Sequence, residues 1–121
     1  MGRLCVFGFG GVVINSNMYS KAIIGDFTTI LPLSTLASDV CVKDYVTIYV
    51  GSLIASDVVL GEGVSLGAGT IVKEGVRIAP WVVTGQASCV VKDIVEEGIT
   101  VVGVPAKKLV KPILDKDPRI A

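Results

Sequence analysis

The chain contains no histidine. Imidazole is the side chain that ordinarily titrates near neutrality, so the commonest general base and the commonest zinc ligand are both missing. Aromatic residues are scarce, at 6% of 121, and the 51% of hydrophobic residues must build a core of Val, Ile and Leu rather than large rings. Net charge is zero, from 11 basic and 11 acidic residues, which removes any electrostatic case for nucleic-acid binding. No apolar run approaches the roughly 18 residues of a transmembrane helix. Residues 1–11 lack the basic start and long apolar core of a signal peptide. The cysteines, Cys5, Cys41 and Cys89, are odd in number and without metal spacing, so they read as reduced thiols of a cytoplasmic protein, and Cys41 and Cys89 as inert. The length suits one domain.

What the chain does have is a period of six. From Ile24 to Val90 the lead positions are Ile24, Ile30, Leu36, Val42, Ile48, Ile54, Leu60, Leu66, Val72, Ile78, Thr84 and Val90, and only Thr84 is not aliphatic. Four residues after each lead stands a small or β-branched side chain, from Thr28 and Ser34 through Ser88 and Ile94. A strict six-residue period fits neither an α-helix nor an alternating strand pair. It predicts an all-β fold, a left-handed parallel β-helix of hexapeptide repeats, with one short strand per repeat and three repeats per coil. The coils cover about residues 12–95. Residues 96–121 fall out of phase, carry Pro105, Pro112 and Pro118, and are expected to leave the coil as a short C-terminal tail.

Sorting the repeats by threes leaves one set without charge: residues 30–35, 48–53, 66–71 and 84–89. Several of its outward positions are apolar, among them Leu31, Leu33, Tyr49, Val50, Leu53 and Ile71. An uncharged, apolar side of a solenoid is poorly suited to water. Three prisms closed around one axis would bury it, which predicts a homotrimer through these four segments.

The repeats resemble the left-handed β-helix acyltransferases, the hexapeptide-repeat transferase family, over nearly all of residues 12–111. Two motifs sharpen the likeness. Ser88 to Ile94 (SCVVKDI) is similar to the family's last-coil segment, and Gly103-Val104-Pro105-Ala106-Lys107 to its terminal GxPAK motif. The branch most resembled is the sugar O- and N-acetyltransferases of sialic-acid and bacillosamine pathways. Leu4 to Gly11 (LCVFGFGG) is similar to the first strand and glycine turn of the nucleotide-binding domain that often opens that branch, although a strand with GxGG is a weak motif and the rest of such a domain does not follow. The resemblance implies a trimer that transfers an acetyl group from acetyl-CoA to a small-molecule acceptor, an amino or hydroxy sugar. The groove between subunits would hold the pantetheine arm, and the adenosine end would reach the tail at Gly103, Pro105, Lys107 and Lys108, with Lys111 close by.

The same resemblance exposes departures. The histidine–acid pair of the sugar branch falls at Ser38-Asp39, a second histidine at Thr47, and an asparagine near the sugar at Leu31. A serine hydroxyl is no base near neutral pH without a partner that takes its proton. Three readings remain open. Asp39 could act as base, with Asp57 stacked one coil away so that like charges raise one pKa; both also read as turn residues. Alternatively, an amine acceptor needs no base, and alignment suffices with the Ser56 backbone N–H as oxyanion donor. In the third reading the chain is catalytically silent and serves binding or scaffolding. Ser38, Ser56, Glu74 and Lys92 form a column beside which acetyl-CoA would lie. Trp81, at a corner, reads as a cover for the tail or as a platform for adenine. No metal is called for: the related γ-type carbonic anhydrases need histidines for their zinc.

Overall fold

The computed structural model describes residues 22–109, together with the backbone of Val6–Phe7 and Val13–Ile14. The described chain is a β-solenoid with three faces and no helix. Its first face holds β1 (Val6–Phe7), β4 (Thr29–Ile30), β7 (Thr47–Ile48), β10 (Ser65–Leu66), β13 (Val83–Thr84), β15 (Thr100–Val102) and β16 (Lys107–Lys108). The second holds β2 (Val13–Ile14), β5 (Thr35–Leu36), β8 (Leu53–Ile54), β11 (Ile71–Val72) and β14 (Cys89–Val90). The third holds β3 (Ile23–Ile24), β6 (Cys41–Val42), β9 (Val59–Leu60) and β12 (Arg77–Ile78). From β3 to β14 strands pair in parallel with those one coil away, Thr29 with Thr47 and Cys41 with Val59. The architecture is the left-handed β-helix that the period implies.

The six-residue code is visible in the packing. Every lead from Ile24 to Val90 is buried, and so is every fourth-after-lead residue from Thr28 to Ser88. The residue third after each lead, from Phe27 to Ala87, has φ between 56° and 76°. That left-handed conformation turns the chain from one face to the next. Glycine adopts it freely at Gly51, Gly63, Gly69 and Gly75, whereas larger side chains adopt it with strain at Phe27, Tyr45 and Trp81.

Thr84, the one polar lead, is explained by its neighbours. Its hydroxyl meets the Thr70 hydroxyl at 2.8 Å and accepts the Gly67 N–H at 3.0 Å. It belongs to a line of buried hydroxyls, Ser34, Ser52, Thr70 and Ser88, that donate to turn carbonyls such as Tyr49 O and Gly85 O. Buried polar groups persist where they are paired in this way.

Two expectations need correction. A six-residue unit such as 30–35 is not one flat side: it begins at the end of a strand on the first face, rounds a corner, and ends at the start of a strand on the second. The uncharged set is therefore an edge with half of each adjoining face. Nor does the chain leave the coil at Glu96. Thr100 pairs with Val83 and Val101 with Thr84, so β15 adds one more strand to the first face before β16 turns back along it. The phase breaks just before this: Ile94 bridges in parallel to Ile78, sixteen residues away instead of eighteen, and Val101 is then buried seventeen residues after Thr84. Val6–Phe7 pairs in parallel with β4 and extends the first face. Gly8 to Gly11, Lys111, Pro112 and Pro118 lie outside the described residues.

Restoring the pattern at Thr84 should not help the protein. Thr84→Val is expected to lower stability by about 1 kcal/mol, because the Thr70 and Gly67 partners lose a bond. Leu60→Ala, in the centre of the core, is expected to cost about 2–5 kcal/mol. Urea midpoints measure both; a more stable Thr84→Val would contradict the hydroxyl line.

Candidate functional site

The three edges of the prism differ in chemistry. The edge between the first and second faces carries Pro32-Leu33, Val50-Gly51, Ala68-Gly69 and Gln86-Ala87, with no charge. The next, the Ser–Asp edge between the second and third faces, carries Ser38-Asp39, Ser56-Asp57, Glu74-Gly75 and Lys92-Asp93. The last, the aromatic edge between the third and first faces, carries Asp26-Phe27, Asp44-Tyr45, Glu62-Gly63 and Pro80-Trp81. The first face exposes no charge from Thr29 to Gly85, and the second exposes only Lys73 over the same coils, so the uncharged surface spans two faces and the edge between them. Leu53 and Ile71, both about 45% exposed, stand on the second face beside that edge.

The structure brings the expected column together. Asp57 N–H donates to Ser38 O at 3.0 Å and Gly75 N–H to Ser56 O at 2.9 Å, which sets Ser38, Ser56 and Glu74 one above another. Asp39 and Asp57 occupy the left-handed turn position, with φ of 61° and 62°. That geometry satisfies the turn reading of both aspartates, since short polar side chains tolerate it, and it also points the two carboxylates outward, one coil above the other. The Ser56 backbone N–H has no acceptor among the described residues.

The column runs into the C-terminal end. Gly103 O accepts the Cys89 N–H at 2.9 Å and Ala106 N–H donates to Cys89 O at 2.8 Å, so the Gly103–Ala106 segment lies on the second face directly after β14. A hollow of about 220 Å³ opens there, lined by Val91, Lys92, Pro105, Ala106 and Lys107. Lys92 and Lys107 thus converge, although they are fifteen residues apart in sequence. Lys108 lines an adjoining hollow of about 250 Å³ that Lys92 also borders, and its ammonium meets Glu96 at 2.9 Å. Cys41 and Cys89 are half-buried free thiols.

The repeat pattern by itself does not reveal the aromatic edge. Phe27 and Tyr45 stack with ring centroids 5.4 Å apart and planes 9° from parallel. The Trp81 ring lies against Gly63, where a Cβ would collide with it, so Trp81 packs on the preceding coil. The readable signal is an aromatic residue at 27, 45 and 81, with glycine at 63, one coil apart each time. Beside this edge, on the third face, a hollow of about 610 Å³ is lined by Ile23, Gly25, Cys41, Lys43, Asp44, Gly61, Glu62 and Pro80 among others. Among the described residues no three Cys, Asp or Glu side chains converge as a metal site would require.

No protein-family model matches the sequence, and no curated protein does. Solved structures do. The chain superposes on a histidine-to-alanine variant of GDP-perosamine N-acetyltransferase from Caulobacter crescentus, in complex with CoA and GDP-perosamine, with TM-score 0.77 and 28% identity over 88% of this chain and 51% of that one. The fold is that of the hexapeptide-repeat acetyltransferases. WeeI from Acinetobacter baumannii matches with TM-score 0.74 and 25% identity, over 89% of this chain and 53% of that one. A hexapeptide transferase family protein from Anaplasma phagocytophilum gives 0.82 at 22% identity, over 93% and 67%. The chain spans about half the length of the first two. Among the described residues, no helix is long and apolar enough to cross a membrane.

The turn reading of the Ser–Asp edge has a direct test. Glycine already fills the same slot in the next coil, at Gly75, so Asp57→Gly is expected to change stability by less than about 1 kcal/mol. Thermal melting measures this. A loss of several kcal/mol would make the Asp57 carboxylate a structural anchor rather than a group available to a ligand.

Proposed function

We propose that this chain is the coil of a coenzyme-A-dependent acetyltransferase that assembles as a homotrimer and acts on a small polar acceptor, an amino or hydroxy sugar. The observation that carries the reading is the Ser–Asp column running into the hollow shared by Lys92 and Lys107. From Ser38 to Lys92 is three coil rises, about 14 Å at the usual strand spacing. That length suits a pantetheine arm, with its thioester beside Ser38 and Ser56 and its phosphates at the two ammonium groups as point charges. Lys108, paired with Glu96, is left out of this role. The complex of the perosamine enzyme with CoA and a nucleotide-linked sugar supports the choice of both substrates.

The uncharged surface supports the trimer. With the uncharged edge of each prism on a three-fold axis, the first face of one subunit turns toward the second face of the next. Three equilateral corners fill only half of a full turn, so three wedge-shaped grooves remain between subunits. Each groove is bounded by the Ser–Asp edge of one subunit and the aromatic edge of its neighbour.

In the reaction the acceptor nitrogen or oxygen attacks the thioester carbonyl. The carbon–sulfur bond breaks, coenzyme A leaves as the thiol, and the acceptor's proton goes by way of Asp39 to the sulfur. The Ser56 N–H donates to the oxygen on which charge develops. With serine at position 38 no imidazole mediates the proton transfer, and an amine acceptor, partly deprotonated in solution, needs this help least.

Two experiments test the proposal. Isothermal titration should show acetyl-CoA binding that weakens when Lys92 and Lys107 are both changed to Ala; unchanged affinity would remove the hollow from the site. Thiol release from acetyl-CoA should depend on an amino sugar and rise in Ser38→His, where Asp39 can orient the new imidazole. General-base assistance is worth roughly 10² to 10⁴ in rate. If neither protein binds nor turns over acetyl-CoA, the acetyltransferase reading fails.

A further inference from the structure

In the middle of the solenoid each core layer is roofed by the next coil, and Ile48, Ile54, Leu60 and Leu66 have no exposed surface. Above β15 and the Gly103–Ala106 segment no further coil follows among the described residues. The core is only partly covered there. Ile94, Ile99 and Ala106 pack against the buried cluster but stay half-buried. Val95 beside them is 87% exposed and Leu109 is 49% exposed. The hollow of about 250 Å³ opens at this level. Ala106 reaches it from the second face, Ile94 from the third, and Val101 and Lys108 from the first. A hollow ringed by all three faces is the open end of the prism itself. Apolar surface left at such an end is unfavourable in water, and a solenoid needs a terminal element with a polar outer side to close it.

The chain carries a suitable segment at this place. β16 runs antiparallel to β15, and Leu109 after it donates its N–H to Thr100 O at 2.7 Å. Lys108 lines the hollow, so the sequence continues from the hollow's own rim. The next residues are Val110, Lys111, Pro112, Ile113 and Leu114, apolar but for one. Asp115, Lys116, Asp117, Pro118 and Arg119 follow, and four of these five are charged. Pro112 has no N–H to give to a ladder, so a strand does not simply run on past it. Five extended residues reach at most about 17 Å, and a space of 250 Å³ is only about 6 Å across. The hollow thus takes a few aliphatic side chains and is too small for a folded partner. We propose that residues 110–114 fold over the end of their own solenoid and close it, with Ile113 and Leu114 seated against Ile94 and Ile99. The charged residues after them then face water, as the outer side of an end cap must. The rim offers both signs of charge, Lys92 and Lys108 with Asp93 and Glu96, to Lys111 and Asp115. This inference stands apart from the acetyltransferase reading.

Cysteine pairing reads the contact directly. In the full-length chain carrying Cys5→Ala, Cys41→Ala and Cys89→Ala, Val95→Cys is combined with Leu114→Cys or, for comparison, with Asp117→Cys. Val95 lines the hollow yet is 87% exposed, so replacing it disturbs the fold little. With oxidised glutathione and micromolar protein, a seated cap should join positions 95 and 114 within one chain roughly ten-fold faster than positions 95 and 117. Equal rates would mean a segment that wanders over the end, and would overturn the inference. Disulfides between chains, seen as dimers on a non-reducing gel, would overturn it in favour of a second copy seated on the same end. If the background without cysteine does not fold, hydrogen exchange on the chain with its cysteines decides. Ile113→Asp with Leu114→Asp should speed exchange of the Ile94 and Ala106 N–H groups roughly ten-fold or more, and leave the Leu53 N–H, bonded to Thr70 O in mid-solenoid, unchanged. Unaltered exchange at Ile94 and Ala106 would equally overturn the cap.

Discussion

Backbone hydrogen bonds between residues seventeen apart hold this molecule together. Ile23 N–H donates to Val40 O at 2.9 Å, Leu53 to Thr70 O at 2.9 Å and Lys73 to Val90 O at 2.9 Å. This ladder permits no drift: an extra residue in any turn would offset every column above it. Everything else follows from its regularity. A single coil, with one two-residue strand per face, has few contacts of its own, and stability accrues coil upon coil as each lead closes the gap above its predecessor. The ladder is also what turns a linear sequence into edges, because residues eighteen apart share one height-ordered column and therefore one chemical environment.

Those columns give a chain without histidine its chemistry. From Thr29 to Val91 the first and second faces and the edge between them carry no charge except Lys73, and charge is gathered on the third face and the other two edges. One of these edges aligns hydroxyls and carboxylates with the Lys92 and Lys107 hollow; the other aligns rings and carboxylates with the third-face hollow. Such segregation would be wasted on a monomer fully surrounded by water. It makes sense if the uncharged surface is covered by copies of the same chain and the grooves left between them are where ligands meet two unlike edges.

Much of this is legible in the sequence because burial in a solenoid is a local matter. Ile54 or Val64 is inside whatever the rest of the chain does, so the period alone predicts it. The phase also finds the Ser38, Ser56 and Glu74 column. Two kinds of feature escape it. The first depends on where a turn falls within the six residues: the segment 30–35 reads as a flat side, but the left-handed residue Leu33 in its middle bends it around an edge. The second depends on contacts between coils that no repeat specifies, such as Trp81 leaning onto Gly63, Lys108 captured by Glu96, and Val101 taking a core place one residue early. Each arises from side-chain length or chain slack rather than from pattern.

Assembly around the uncharged edge is the claim on which the grooves and the proposed transfer both depend. Light scattering on the unmodified full-length chain measures it most directly. The expected mass is three times the 12.6 kDa of one chain, unchanged on dilution through the micromolar range. A mass of one chain at those concentrations would contradict it.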